Sequence, residues 1–307
     1  MNYSCEICSH SDLQNFAVFD ESLALICKNC GTIQQFSKKS LPVYEEKYYS
    51  ARDGSRFPFV VELAIRFLRR LRSTRIGQKH SPGASFLDIG CGRGLIPEFL
   101  QKKGFNGEGT QISEIAVKTA RKRGIRIHFG DFRNLDLPKI FQGISLFHVL
   151  EHLEHLDSVF RRLADLLEDR GWLIIEIPSL SGIGFRVSGE KWLGLDPEHH
   201  RFGFFPPSLI KFVEKYGFAL LRQDEISLEH GPFHLGQSIA NLAFPKRFQN
   251  SFFLLLQGKA KSVSLILAGI FQAPFLFLGF LTFPLCAPFF QLFHCGETVT
   301  LWFRKKT

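Results

Sequence analysis

Phe86-Leu87-Asp88-Ile89-Gly90-Cys91-Gly92-Arg93-Gly94 decides how the rest of this chain reads. A short apolar strand climbs to an acid, turns through three alternate glycines, and Leu95-Ile96-Pro97-Glu98-Phe99-Leu100 then opens a helix. Glycines so spaced let a loop backbone approach a ligand that any side chain would hold off. The turn stands at the carboxyl end of its strand, where open α/β sheets bind ligands. It is not the dinucleotide fingerprint, because Leu95 occupies the place of that pattern's last glycine.

Outward from the loop, strands alternate with helices. Helix 95–103 is followed by a strand around 107–112, helix 114–123, and strand 125–129 ending in Gly130-Asp131-Phe132. A fourth strand, Ile144 to His148, leads into Glu151-His152-Leu153-Glu154-His155, and 171–178 reads as a fifth. This alternation predicts an α/β fold, a mainly parallel sheet with helices on both faces.

Over about residues 84–225 the order, spacing and G-x-G-x-G wording resemble class I S-adenosylmethionine-dependent methyltransferases. The resemblance implies a Rossmann-like sheet of seven strands, the last antiparallel. It also implies cofactor contacts from Asp88, Gly90, Cys91, Gly92, Gly94, Gln111, Asp131, Phe132 and His148. The glycine loop would pass under the methionine part and Asp131 would hold the adenine amino group. The second strand of the family ends in a ribose-binding acid, and here Gln111 stands at that place. A glutamine oxygen accepts a hydroxyl hydrogen bond without charge assistance, which roughly halves its strength. Glu108 lies too early and Glu114 too late to replace it. A catalytically inactive methyltransferase-fold scaffold at a membrane is therefore the rival expectation.

Four of the seven cysteines form Cys5-x2-Cys8 and Cys27-x2-Cys30. Two such knuckles fit a tetrahedral four-thiolate zinc site. Between them, 16–19 and 23–26 read as a β-hairpin, so a zinc ribbon is expected over 1–39. Residues 1–20 hold no charged-then-apolar leader, so no signal peptide is expected and the thiols are read in a reducing, cytosolic setting. N-terminal ribbons ahead of this domain type resemble the sugar C-methyltransferases.

The 307 residues are 45% hydrophobic and 22% charged, with a formal net charge of +9. That charge favours anionic partners. A zinc-ribbon nucleic-acid methyltransferase is an alternative, but the ribbon carries few lysines. The Asn/Asp-Pro-Pro-aromatic run of base-amine methyltransferases is also replaced here by Phe147-His148-Val149-Leu150-Glu151-His152. Nucleic acid is not expected as a partner.

His148-Val149-Leu150-Glu151-His152 resembles the E-x-x-E-H run of ubiquinone-pathway O-methyltransferases, which holds a divalent metal beside the acceptor hydroxyl. A cation near Glu151 and His152 would make that hydroxyl a better nucleophile. The other reading is a helix start where Glu151 suits the positive helix end. Asp196-Pro197-Glu198-His199-His200, running on to Ser208-Leu209, resembles the segment that places histidines at the family's acceptor site. His199 or His200 would serve as general base, a histidine's ordinary pKa of about 6.5 suiting neutral pH; both could also be structural. Tyr44, Tyr48 and Tyr49, in the linker and helix region 40–80, either close over the cofactor or pin the ribbon.

Beyond the core at 81–230, an insertion at 231–296 contains Ser262 to Phe293, a run without Asp, Glu, Lys, Arg or His. Lys246, Arg247, Lys259 and Lys261 precede it. The strand at 297–303, with its basic tail to 307, must return to the sheet, so the run crosses a membrane an even number of times or not at all. Two crossings need about 40 residues. Pro274, Pro284 and Pro288 are expected to break it into short pieces, giving a re-entrant or in-plane hairpin against anionic headgroups. A buried helical pair or a dimer interface is the alternative. The expected activity is methyl transfer to a small or lipid-linked acceptor (sugar, quinone-like or other amphiphile) on the cytoplasmic side of a membrane, peripheral or re-entrant.

Overall fold

The computed structural model describes residues 3–19, 22–37, 57–137 and 140–307. The tyrosines Tyr44, Tyr48 and Tyr49 lie outside the described residues, as does the boundary between ribbon and linker. The elements run β1 (Leu13–Val18), β2 (Ser22–Cys27), β3 (Ile33–Ser37), α1 (Phe59–Gly77), β4 (Ser85–Ile89), α2 (Leu95–Gln101) and β5 (Asn106–Gln111). Next come α3 (Glu114–Arg121), β6 (Ile127–Phe129), β7 (Phe141–Phe147), α4 (Leu156–Leu166), β8 (Leu167–Pro178) and α5 (Ile183–Ser188). The chain closes with β9 (Phe202–Gly203), α6 (Pro206–Glu214), β10 (Phe218–Asp224), α7 (Gly231–Ala243), α8 (Ser251–Leu256), α9 (Val263–Phe293) and β11 (Thr298–Lys305).

Two compact units form. The first comprises Pro42–Glu176, Val213–Arg222 and Leu301–Thr307. It carries a seven-stranded sheet in the order β10-β11-β8-β7-β4-β5-β6. The pairs β4–β5, β4–β7, β5–β6 and β7–β8 are parallel. Central strands such as Phe86-Leu87 and Leu173-Ile174-Ile175 are buried without alternation, as a sheet covered on both faces requires. The chain leaves β4 toward β5 and β6 on one side and then crosses back to β7 on the other, so the carboxyl end of β4 is the topological switch point. β5 departs from the apolar rule. A Cβ on Gly107 would meet the Pro97 carbonyl of α2 at 2.8 Å, and one on Gly109 would collide with the Cys91 sulfur. Its Glu108 carboxylate pairs with Arg126 at 2.6 Å and His128 at 2.8 Å, which accounts for an acid in a buried strand.

The second unit comprises Met1–Leu41, Ile177–Phe212 and Gln223–Thr300. Its four-stranded sheet runs β1-β2-β3-β9, so the expected hairpin acquires a third strand and then a short fourth from far along the chain. Ala17, Ala24 and Ile33 of the ribbon share a core with Leu180, Trp192 and Leu195.

The apolar run differs from expectation. It is one helix of 31 residues, not a hairpin, with Pro274, Pro284 and Pro288 inside it. A proline's φ is helical; the cost is one missing N–H bond and a clash with the carbonyl four residues back. All three prolines lie on the exposed side, where a helix curving round its support is convex and those carbonyls tilt outward. The opposite side, Ala268, Gln272, Leu276, Gly279, Phe283, Ala287 and Phe290, recurs every three or four residues and is buried. It packs on α7, where a Cβ on Gly279 would meet the Pro232 carbonyl at 2.6 Å and the Gly236 Cα at 2.9 Å. Gln272 fixes the rotation of the helix. Its oxygen accepts from the Gln237 amide and the Phe252 N–H, each at 3.0 Å, and its amide donates to the Phe248 carbonyl at 2.7 Å. Because the Gly279 neighbours are backbone atoms, Gly279→Ala is expected to destabilise this unit by about 1–3 kcal/mol, read as a lower urea midpoint.

Candidate active site

The turn after β4 is built from left-handed backbone, with φ of 66° at Gly90, 55° at Gly92 and 73° at Gly94. Gly90 lies so close to Val149 that a Cβ there would strike its methyl group at 2.5 Å. A Cβ on Gly94 would meet Ile125, Ala120 and Ile127 at 3.1 to 3.3 Å. Around the turn the loop is braced. Arg93 pairs with Glu62 of α1, and the Arg123 guanidinium donates to the Arg93 carbonyl. Glu98 in α2 gathers Arg66, Lys102 and Arg123. The loop therefore presents bare backbone on a supported frame.

The residues expected to meet the cofactor divide by what their side chains do. Asp88 is buried, accepts the Ser145 hydroxyl at 2.6 Å, and burial lifts its carboxyl to about 7. Cys91 points inward to Val117, Ala120, Ile125 and Ile127, so only its backbone belongs to the loop. Asp131 follows β6; burial disfavours its charge, but the Arg133 hydrogen bonds outweigh that and hold its pKa below the usual carboxylate value. Phe132 beside it is buried.

Gln111 departs from the expected role. Its side-chain oxygen accepts from the backbone N–H of Ile112 at 2.7 Å and of Ser113 at 3.1 Å. The oxygen thus closes the turn after β5, and the amide nitrogen, not the oxygen, is the group left for a hydroxyl.

His148 directly follows β7 with a φ of 54°, a strained conformation for a residue with a side chain. Its ring nitrogens lie at ion-pair distance from Glu151, 3.2 Å, and Glu176, 3.3 Å. Burial disfavours the imidazolium, yet the two carboxylates raise its pKa to about 9. Arg72 joins the cluster at 2.6 Å from Glu176 and lies over the Phe147 ring. Glu176 and Arg72 escaped sequence reading. The available signal was a lone acid in Leu173-Ile174-Ile175-Glu176-Ile177, a strand otherwise apolar.

In the other unit the four thiols of Cys5, Cys8, Cys27 and Cys30 converge, all sulfurs within 4.8 Å of one another. Cys5 and Cys30 approach to 3.5 Å, as do Cys8 and Cys27. Zinc–sulfur bonds of about 2.3 Å in a tetrahedron separate sulfurs by about 3.8 Å, so the donor set fits that metal. His199 and His200 separate in role. The His199 ring meets the Asp196 carboxylate at 2.9 Å, which raises its pKa above 6.5. His200 is buried with Nδ1 at 3.0 Å from the Gly194 carbonyl. Also missed from sequence was Glu297, a buried carboxylate that accepts from the Gly184 N–H at 2.6 Å and the Trp192 indole at 2.9 Å.

Comparison with known proteins bears on this arrangement. Residues 60–223 match the model of a family described as methyltransferase domain. The ubiquinone biosynthesis O-methyltransferase of Xanthomonas campestris pv. campestris is 26% identical over 161 residues, covering 48% of this chain and 64% of the relative. The enzyme of the same name from Colwellia psychrerythraea is 26% identical, again covering 64% of its length. The chain therefore spans somewhat under two thirds of the curated relatives it matches. Among solved structures, a SAM-dependent methyltransferase from Archaeoglobus fulgidus superposes with a TM-score of 0.50 at 18% identity, covering 78% of this chain and 94% of that one. The [4+2]-cyclase SpnF superposes equally, at 0.50 and 17% identity, covering 78% of this chain and 82% of SpnF. These structural likenesses carry the fold alone, since one neighbour is a methyltransferase and the other a cyclase.

Proposed function

This chain belongs to the methyltransferase-domain family, and on that premise we propose that it transfers the methyl group of S-adenosylmethionine to a small or lipid-linked acceptor at a membrane surface. The observation that carries the reading is the triple left-handed glycine turn at the sheet's switch point, where no dinucleotide fingerprint is present. Gly90, Gly92 and Gly94 offer backbone to the methionine part, with Asp88 and His148 framing the loop from within the core. The Gln111 amide nitrogen addresses the ribose hydroxyls, while Asp131 and Phe132 flank the adenine. The cofactor supplies a sulfonium-activated methyl group, so the protein's task is alignment and removal of one proton.

His199 is the base in this reading, its ring oriented by Asp196 as a base needs to be. Only the neutral imidazole accepts a proton. With its pKa raised by Asp196, the acidic limb of kcat/KM lies above pH 6.5. Asp196→Asn removes the charge, so the limb is expected to move to lower pH, measured as a pH profile of methyl transfer. His200, tied to Gly194, holds the segment. The ligand atoms of Glu151 and His152 lie within 4.8 Å of one another, a spacing that supports the suggested divalent cation, although no step is routed through it.

The membrane reading rests on α9. Phe271, Phe277, Leu278, Phe280, Leu281, Leu285, Phe289 and Leu292 are exposed along one side of a helix long and apolar enough to cross a bilayer. Packing on α7 and the Gln272 bonds hold it along its length to the protein, which supports an in-plane position with Lys246, Arg247, Lys259 and Lys261 at the headgroups. Incubating the full chain with tritium-labelled S-adenosylmethionine and membrane lipids of the source organism tests the whole reading. Label is expected in the lipid or small-molecule extract. Absence of S-adenosylmethionine binding at millimolar concentration in calorimetry would establish the inactive scaffold instead.

A further inference from the structure

The ribbon and the histidine segment are not separate features of their unit. β3 pairs with β9 through Ile33 with Gly203 and Gln34 with Phe202, two residues beyond His200. The Gln35 N–H donates to the Arg201 carbonyl at 2.8 Å, and the Gln35 side chain donates to the Leu195 carbonyl at 2.9 Å in buried surroundings. At the far end of the segment, the Ser208 hydroxyl donates at 2.6 Å to the carbonyl of Cys30, itself one of the four thiol residues. Gly31, left-handed at 72°, follows Cys30 and lies against the Phe205 ring, its virtual Cβ 3.6 Å away. Leu195 and Trp192 share a core with Ala17, Ala24 and Ile33. Residues 194–208 are thus held at both ends and along one strand by a ribbon in which Cys27 ends β2 and Cys30 stands in the β2–β3 turn.

A ribbon this small has little core of its own, and four-thiolate modules owe their fold to the metal. We propose that the metal at Cys5, Cys8, Cys27 and Cys30 serves as the structural clamp of the 194–208 segment, so that occupancy of the ribbon decides whether His199 and His200 are held in place. The proposal rests on the reading of those histidines as acceptor-side groups. It assigns the ribbon to acceptor positioning, while the glycine loop lies in the other compact unit and is built without it. Gln35 and Ser208 are the positioning residues, joining the metal knuckle to the segment without ligating the metal.

Amide hydrogen exchange of the full chain tests this, comparing zinc-loaded protein with protein stripped by a chelator under reducing conditions and checked by metal analysis. Stripping is expected to speed exchange in peptides spanning 194–208 by about tenfold or more and to leave 85–101 within about twofold. Gln35→Leu combined with Ser208→Ala is expected to speed exchange in 194–208 while zinc stays stoichiometric and affinity for S-adenosylhomocysteine is unchanged. Equal exchange in 194–208 with and without metal would overturn the proposal. So would equal acceleration in 85–101, or a double variant whose 194–208 peptides stay as protected as the parent's. Failure to bind S-adenosylhomocysteine would sink the methyltransferase reading and leave the exchange comparison standing.

Discussion

Gly90→Val is expected to reduce affinity for S-adenosylhomocysteine by on the order of 100-fold or more, measured by calorimetry, while the second unit remains folded. Two costs add. Position 90 has a φ of 66°, a left-handed conformation that a β-branched residue adopts only with strain of about 1–3 kcal/mol. The side chain would also need the space of Val149, whose methyl group is 2.5 Å from the first atom added. Overpacking of that kind costs about 1–3 kcal/mol, and relieving it means moving the loop or the start of the His148–His152 segment. Either movement takes bare backbone away from the cofactor. Unchanged affinity would remove the glycine turn from the cofactor site and with it the proposed reaction. Gly104→Ala provides the control, because that glycine is also left-handed but has open space about it.

Replacing Phe271, Phe277, Phe280 and Leu285 together by serine is expected to abolish co-sedimentation of the full chain with vesicles containing anionic lipid. Each of these side chains is about half exposed or more. Burying a side chain of this size contributes about 1.5–3 kcal/mol when fully transferred. Even partial transfer of four gives several kcal/mol, equivalent to at least about a thousandfold in partitioning. Because these positions face away from α7 and the Gln272 bonds, the melting temperature is expected to change little. Parent protein that ignores anionic vesicles, or a variant that binds them as well as the parent, would refute docking through α9. High salt should weaken binding, since Lys246, Arg247, Lys259 and Lys261 contribute through screened charge.

How much of this was legible follows from the range of the interactions. The βα alternation from 86 to 178 was readable because buried parallel strands and amphipathic helices write their periods locally. The four cysteines were readable as a converging set because their paired C-x2-C spacing is the one a four-thiolate metal site would need. Gln111 was readable as a departure but not in its geometry, since its oxygen turned to the amides of Ile112 and Ser113. The prolines of α9 misled because a local rule says they break helices. The rule does not know that all three fall on the exposed, unsupported side of a helix held by α7.

From the amino-acid sequence alone came the sheet, its glycine turn, the thiol set and the apolar run, each a short-range pattern imposed by backbone sterics, ligand spacing or burial. Only the tertiary structure decided which side of α9 is bare, that His199 is oriented by Asp196, and that the ribbon grips residues 194–208. The His199–Asp196 pair is local but depends on the backbone of its turn, whereas the ribbon's grip depends on atoms far apart in the chain, such as Gln35 with Leu195 and Ser208 with Cys30. No local period encodes such pairs; they exist only once the chain has closed the long loops between them.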